Sequence, residues 1–423
     1  MTRQSASRDA IEAVWRIESA RIVGALARHT GDFALAEDAA QEALAEALVS
    51  WPRDGAPRNP AGWLLTAGRR RAIDAFRRRA ALDQRYAVLG NELREPDEGG
   101  EPWDPDRIDD DVLPLIFMAC HPLLGREAQI ALTLRVLGGL TSDEIAKAFL
   151  VPTATVQARI TRAKKTLAAA RVSFELPPAD ERRERLGSVL SVVYLIFTEG
   201  STASSGAELI RTDLAHEAIR LARVLAHLVP DEPEVHGLLA LLELTAARFP
   251  ARTGRDGAPV LLEQQDRSRW DRAAVRRGRA ALRRAERAGR GLGAYGLQAA
   301  IADCHAVAPS VAATDWDRIV VLYEALGRLA PSPIVELNRA VAVAMTRGER
   351  GGPAAALRIV DALAAGRRLA DSHLLPTVRG ELLTRLGRTD EAREELERAI
   401  TLCGNGQERH VLATKLAQLD VSG

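Results

Sequence analysis

Gly138 to Leu167 reads GGLTSDEIAKAFLVPTATVQARITRAKKTL, and this stretch decides the fold class. Thr141 or Ser142 is placed to cap a helix whose first turn holds Asp143 and Glu144, two charges that suit the positive end of a helix dipole. Ile145, Ala146 and Phe149 then fall on one side and are expected to point inward. Leu150-Val151-Pro152 breaks the period, because proline cannot continue a helix and disfavours the helical region for the residue before it. A second helix starts at Thr153, with Val156, Ile160 and Ala163 at three and four spacing. From Thr153 to Arg171 there are five basic residues and no acid. A capped helix, a short turn and a basic second helix are the parts of a helix-turn-helix, in which the second helix enters a major groove. Thr153, Gln157, Thr161 and Arg162 lie off the apolar stripe, where base edges and phosphates would be met, and with Arg159, Lys164 and Lys165 they make up the expected DNA-binding set of this helix.

Upstream, helical period runs from about Ala10 to Arg79, first in Ile11, Val14, Trp15, Ile22 and Leu26 and again from Leu35 to Trp51. The second of these segments carries Glu37, Asp38, Gln41, Glu42 and Glu46 on one face. The next, Pro60 to Arg79, carries Arg69, Arg70, Arg71, Arg77, Arg78 and Arg79 against Asp74 alone, with Trp63, Leu64, Ile73 and Phe76 as its apolar side. One acidic and one basic helix face imply two different partners. Between Ala81 and Leu113 the period fails: eleven acids face three arginines among several prolines and glycines, the composition of a solvated linker. Helical period resumes near Val112 and ends before Pro177 and Pro178.

Downstream, helical segments alternate with short Gly/Pro turns. Gly380, Leu383, Gly387, Ala392, Leu396 and Ala399 stand at the spacing of a tetratricopeptide (TPR) repeat, where small residues let two antiparallel helices approach. Looser copies begin near Pro233, Gly293 and Pro333. The expected fold is therefore all-α: two small helical domains (10–80 and 112–175) joined by a flexible acidic linker (81–111), followed by a helical extension with TPR-like repeats (179–423).

Composition supports this and narrows the function. The chain has 423 residues, is 47% hydrophobic and only 4% aromatic, and is rich in Ala, Leu and Arg, which favours helix over a β-sandwich or barrel. A net charge of +1 excludes a uniformly basic polyanion binder, so any nucleic-acid contact must be local. No apolar run approaches a membrane span and no signal-peptide core is present, so a cytoplasmic protein is expected. Cys120, Cys304 and Cys403 are odd in number and widely separated, which indicates neither a disulfide framework nor a zinc site. No cofactor, metal or catalytic residue is expected.

Taken together, the Asp-x-x-Gln-Glu helix (Asp38, Gln41, Glu42), the Pro-rich loop after it, the Trp63-Leu64…Arg70…Asp74…Arg77-Arg78 helix, the acidic linker and the helix-turn-helix resemble the extracytoplasmic-function (ECF) group of bacterial sigma-70-type sigma factors. By that resemblance residues 10–80 are region 2 and residues 112–175 region 4. VVYLIFTEG (Val192 to Gly200), GAPVLLEQQDRSRWD (Gly257 to Asp271) and the run from Pro331 resemble the C-terminal extension of one subgroup. The resemblance implies that Asp38, Gln41 and Glu42 bind the β′ subunit of core RNA polymerase, with β as a further partner. It also implies that the loop Pro52 to Pro60 and the following helix hold a flipped base of the −10 element, with Trp63, Arg69, Arg70, Arg71, Asp74, Arg77 and Arg78 as its DNA-binding set. Arg70 stands where many members have Asn. The −35 element would face residues 153–165, and the linker would thread the RNA-exit side of the polymerase.

The extension implies regulation in cis: a clamp on the sigma domains, a support on polymerase, or a receiver of a signal, its repeats offering a face to a protein or peptide. Within it Asp256, Gln265, Asp266, Arg267, Arg269 and Trp270 form a polar cluster, and Asp303, Cys304 and His305 are adjacent. An acid/base or metal site is one reading; a buried ion-pair network and simple packing is the other, and the stronger. The competing function is a helix-turn-helix transcriptional regulator with a TPR sensor, which leaves the Asp38 and Trp63 helices unexplained.

Overall fold

The computed structural model describes residues 3–82, 105–149, 151–201, 212–254, 260, 262–348, 351–366, 369–404 and 406–422. Its regular elements are helices, with no strand among the described residues. They group into two compact units, Met1–Ile196 and Phe197–Gly423.

In the first unit α1 (Arg3–Thr30), α2 (Phe33–Asp54) and α3 (Pro60–Leu82) form a three-helix bundle. Gly31, at φ 64, ends α1, and the Asp32 side chain accepts from the Leu35 amide 3.0 Å away to start α2. Ala36, Ala39, Ala40, Ala43 and Ala47 make α2 narrow enough for both neighbours to approach. Ile22 and Leu26 of α1 and Leu64 of α3 are fully buried against it, each worth roughly 1.5–3 kcal/mol. The Asn59 side chain accepts from the Gly62 amide at 3.0 Å and so caps α3.

The next helix, α4, spans Pro105–Ala119 and thus begins inside the stretch assigned to the linker. Asp111, in its second turn, is buried and pairs with Arg28 of α1 at 3.3 Å. Residues 83–104 of the expected linker lie outside the described residues. After α4 come α5 (Arg126–Val136), α6 (Ser142–Phe149) and α7 (Thr153–Ala169). Thr141 caps α6 with a reciprocal box: its hydroxyl accepts from the Glu144 amide at 3.1 Å, and its own amide donates to the Glu144 carboxylate at 2.8 Å. Ile145 and Ala146 are buried and Phe149 half-buried, while Val156, Ile160, Ala163 and Leu167 of α7 are buried as the spacing requires.

The two sigma-like domains are not separate bodies. Helix α1 packs on α4 and α5, and α2 packs on α7. Nor does the boundary fall at Pro178: α8 (Ala179–Ser201) stays with the first unit through Ile196, its Arg185 donating to the Phe117 carbonyl at 3.3 Å.

The second unit centres on α10 (Pro233–Ala246), which is buried almost all round and packs on α9 (Thr212–Leu228), α11 (Arg272–Arg287) and α12 (Ala294–Val307). A Cβ on Gly237 would lie 2.7 Å from the Gly296 nitrogen, so two glycines set the α10–α12 distance. Next follow α13 (Trp316–Leu329), α14 (Pro333–Met345), α15 (Gly352–Ala365), α16 (Leu374–Arg385), α17 (Thr389–Leu402) and α18 (Gly406–Ser422), each packed mainly on its sequence neighbours. Leu383, Ala392, Leu396 and Ala399 form one apolar cluster between α16 and α17, and Gly380 sits against Leu396. The looser repeat starts at Pro233, Gly293 and Pro333 coincide with the starts of α10, α12 and α14.

Candidate nucleic-acid interface

Helix α3 lines a cavity of about 490 Å³ made by Glu46, Asn59, Gly62, Trp63, Thr66, Ala67, Arg70, Arg71 and Asp74. Four residues expected at the −10 site, Trp63, Arg70, Arg71 and Asp74, thus converge on one space. Trp63 is half-buried and fixed by Trp51, with ring centroids 5.4 Å apart and planes at 75°. Arg71 donates to Glu46 at 2.7 Å; that hydrogen bond, with the charges of Glu46, Glu42 and Asp74, raises its pKa. An aromatic wall with a guanidinium and amide groups at its rim is suited to stacking on an unpaired base and holding its phosphate. Arg77 and Arg78 are exposed farther along α3. Arg69 turns elsewhere: it is half-buried, its Nε has no partner, and it faces His29, whose pKa is lowered first by burial and then by Arg69. The expected loop Pro52 to Pro60 contributes Asn59 to this space, while Thr66 and Ala67 were not singled out by their sequence.

On α2, Asp38 and Glu42 are exposed and Gln41 half-buried, on one face as the three and four spacing demands. Beside them Glu37 is only 3% exposed. Its carboxylate accepts from Lys164 at 2.7 Å and from Arg135 at 3.3 Å, and Lys164 also pairs with Asp38. Burial alone would lower the Lys164 pKa, but Glu37 and Asp38 outweigh it and raise it. A basic residue of the second helix of the helix-turn-helix is therefore spent on the acidic face of α2.

The seven residues expected at the −35 element divide accordingly. Gln157, Thr161, Arg162 and Lys165 are exposed along α7. Thr153 donates to Asp143 at 2.8 Å, Arg159 pairs with Glu127 at 2.6 Å and Lys164 lies on α2, so these three hold the fold in this arrangement. The same packing brings the turn before α6 onto α1: Gly139 has φ 64, and a Cβ there would lie 2.9 Å from the Ser19 hydroxyl and 3.2 Å from the Arg16 Cα.

The described residues of the polar cluster are held mainly by bonds to the backbone, and Asp271 beside them also pairs with Arg277 at 4.0 Å. Asp266 caps a short helical turn and Asp271 caps α11, accepting from Ser268 at 2.9 Å and from Ala273 at 2.7 Å. Arg267 donates to the carbonyls of His305 and Ala308, both at 2.7 Å, and its guanidinium lies 5.1 Å from the centre of the Trp270 ring. Gln265 accepts from Arg248 at 3.3 Å, Arg269 is exposed, and Asp256 lies outside the described residues. Asp303 pairs with Arg279, and Cys304 packs in an apolar cluster with Ile301 and Ile319. His305 is held low, to about 4, by burial and then by Arg248 and Arg267. Nothing in this group couples a nucleophile to a base. Elsewhere His373, Cys403 and Glu408 place potential ligand atoms within 4.8 Å of one another, but Arg409 donates to the Cys403 carbonyl and sets a positive charge beside them.

Comparisons with known proteins bear on the two N-terminal domains and on the extension. Residues 16–81 match Sigma-70 region 2, residues 115–167 match Sigma-70 region 4, and residues 185–286 match the DUF6596 family of unknown function. An uncharacterized protein of Rhizobium meliloti (strain 1021) is 45% identical over 94% of this chain and 93% of its own length. No solved structure matches the chain. No described helix is long and apolar enough to cross a membrane. With Sigma-70 region 2 matched over α1 to α3, Sigma-70 region 4 matched over α4 to α7 and a helix-turn-helix on α6 and α7, the chain belongs to the ECF-like sigma-70 family of sigma factors and carries a helical C-terminal extension.

Proposed function

We propose that this protein is a cytoplasmic sigma factor that binds core RNA polymerase through Asp38, Gln41 and Glu42 and starts transcription at its own promoters. The observation that carries this reading is the cavity where Trp63, Arg70, Arg71 and Asp74 meet. A flipped −10 base held there would offset the few kcal/mol of unpairing through stacking and hydrogen bonds. Gln157, Thr161 and Arg162 read the −35 element, and Lys165, Arg77 and Arg78 hold phosphates, giving affinity and salt dependence but no sequence information. The acidic linker lies along the RNA-exit side. The extension acts as a TPR-like regulatory domain that takes a protein or peptide partner.

The pairing of Lys164 with Glu37 and Asp38 supports one addition: the free protein is closed, with the polymerase-binding helix and the promoter-reading helix each holding the other. Initiation then requires α7 to leave α2. The test is to mix the chain with sigma-free core polymerase and a genomic promoter library and to sequence the transcripts. Discrete starts sharing −35 and −10 elements, lost with Asp38→Ala/Gln41→Ala, are expected. No starts from the full chain or from residues 1–196, with duplex binding retained, would instead favour an activator or repressor.

A further inference from the structure

The extension holds a cavity of about 910 Å³ lined by Arg223, Arg284, Arg287 and Arg290 together with His227 and His236, and closed by Ala226, Leu239 and Ala288. Four guanidinium groups face it and Asp231 is the single acid in its wall. Two of the four are already oriented by the protein. Arg223 is held by Glu243 through its Nε at 2.9 Å, and Arg290 donates to the Asp231 carbonyl and pairs with Glu232 at 3.4 Å. The other two, Arg284 and Arg287, are exposed on successive turns of α11 and have no partner among the described residues. Like charges three apart on a helix repel each other, and the carbonyl end of α11 offsets only part of that.

A second observation is independent of the arginines. His236 is 3% exposed, and its Nε2 lies 2.7 Å from the Pro230 carbonyl, while its Nδ1 has no hydrogen-bond partner. That nitrogen has no accessible surface, so the histidine serves the recess as part of its wall. Converging cations and an apolar side wall in a recess of this size are the features of a small-molecule site, not of a surface for duplex DNA. A duplex presents a convex row of phosphates, which calls for a stripe of charge and not a concavity.

We infer that this cavity binds a small phosphorylated metabolite of nucleotide size, with its phosphates on Arg284 and Arg287 and its apolar body against Leu239 and Ala288. Arginine suits the role because its planar fork meets phosphate oxygens two at a time. The site gives the extension a chemical input of its own, and it stands whether or not the first unit acts as a sigma factor.

The test is calorimetric titration of the full chain with adenosine triphosphate, guanosine triphosphate and inorganic triphosphate, alongside the variants Arg284→Ala/Arg287→Ala and Arg276→Ala/Arg283→Ala. The second pair removes the same charge from exposed positions of α11 that do not line the cavity. The expected result is binding of a nucleotide more tightly than of inorganic triphosphate, weakened about tenfold or more by the first pair and little by the second. Both variants should keep the thermal midpoint of the parent, since the four side chains are exposed. Equal weakening by both pairs would reduce the effect to general electrostatics and overturn the proposal. So would the absence of heat with all three probes at millimolar concentration.

Discussion

Lys164 lies on α7 with its side chain 13% exposed, between Glu37 and Asp38. Removing it leaves the buried Glu37 carboxylate with Arg135 as its cation, a change that weakens the docking of α7 on α2. Lys164→Ala should therefore tighten binding to core polymerase in the absence of DNA by about fivefold, or about 1 kcal/mol, as read by fluorescence anisotropy. Unchanged or weaker binding would refute the closed arrangement. His305 gives a pH signature in the extension. Its pKa falls from 6.5 to about 4 on folding, so below 6.5 the unfolded chain binds the proton more readily. Stability present above pH 6.5 is lost as pH falls toward 4, in total about 3 kcal/mol. Thermal melts from pH 7 to pH 4.5 should show a steeper decline for the parent than for His305→Gln; parallel curves would refute it.

At the scale of elements, α2 and α3 show how much periodicity discloses. The acidic set at Asp38, Gln41 and Glu42 shares a face, as do Arg70, Asp74 and Arg77 on α3, because residues three and four apart are neighbours on a helix of 3.6 residues per turn. The helix-turn-helix was equally legible, down to the cap before Asp143 and the break at Pro152. What periodicity missed was the use of single side chains. Arg69 turns toward His29 and Arg159 is taken by Glu127, although both stand in basic stretches that read as uniform. The Asp266 to Asp271 stretch misled for a related reason: alternating charges suggest ion pairs, whereas the aspartates cap backbone amides and Arg267 finds carbonyls. Both choices depend on where distant backbone comes to lie. The contact of Gly237 with Gly296 belongs at this scale too. Gly237→Ala places a Cβ 2.7 Å from a backbone nitrogen, so α10 and α12 must part. Urea unfolding should show a loss of about 1–3 kcal/mol; a loss below about 0.5 kcal/mol would mean that the two helices have room to spare.

For the whole molecule, the boundary between the compact units lies within α8, after Ile196, and not at the prolines that punctuate the sequence. Val189, Leu190, Val192 and Val193 are buried, and Arg185 reaches Phe117. A chain ended after Ile196 should therefore melt cooperatively and at a higher temperature than one ended after Pro178, which lacks this half of α8. Equal midpoints by circular dichroism would show that α8 adds nothing to the first unit. The comparison also chooses the right truncation for asking whether the extension inhibits transcription.

The sequence by itself determined the helices, their polar and apolar faces, the helix-turn-helix and the family resemblance, since all of these follow from local spacing, capping and turn chemistry. Only the tertiary structure decided that the two sigma domains pack together, that Lys164 rests on the acidic face of α2, and that four arginines from the ends of α9 and α11 and the turn after α11 converge on one recess. The physical reason is range. A helix face is fixed by residues three and four apart, whereas a salt bridge across 127 positions or a cavity shared by several elements depends on how those faces dock.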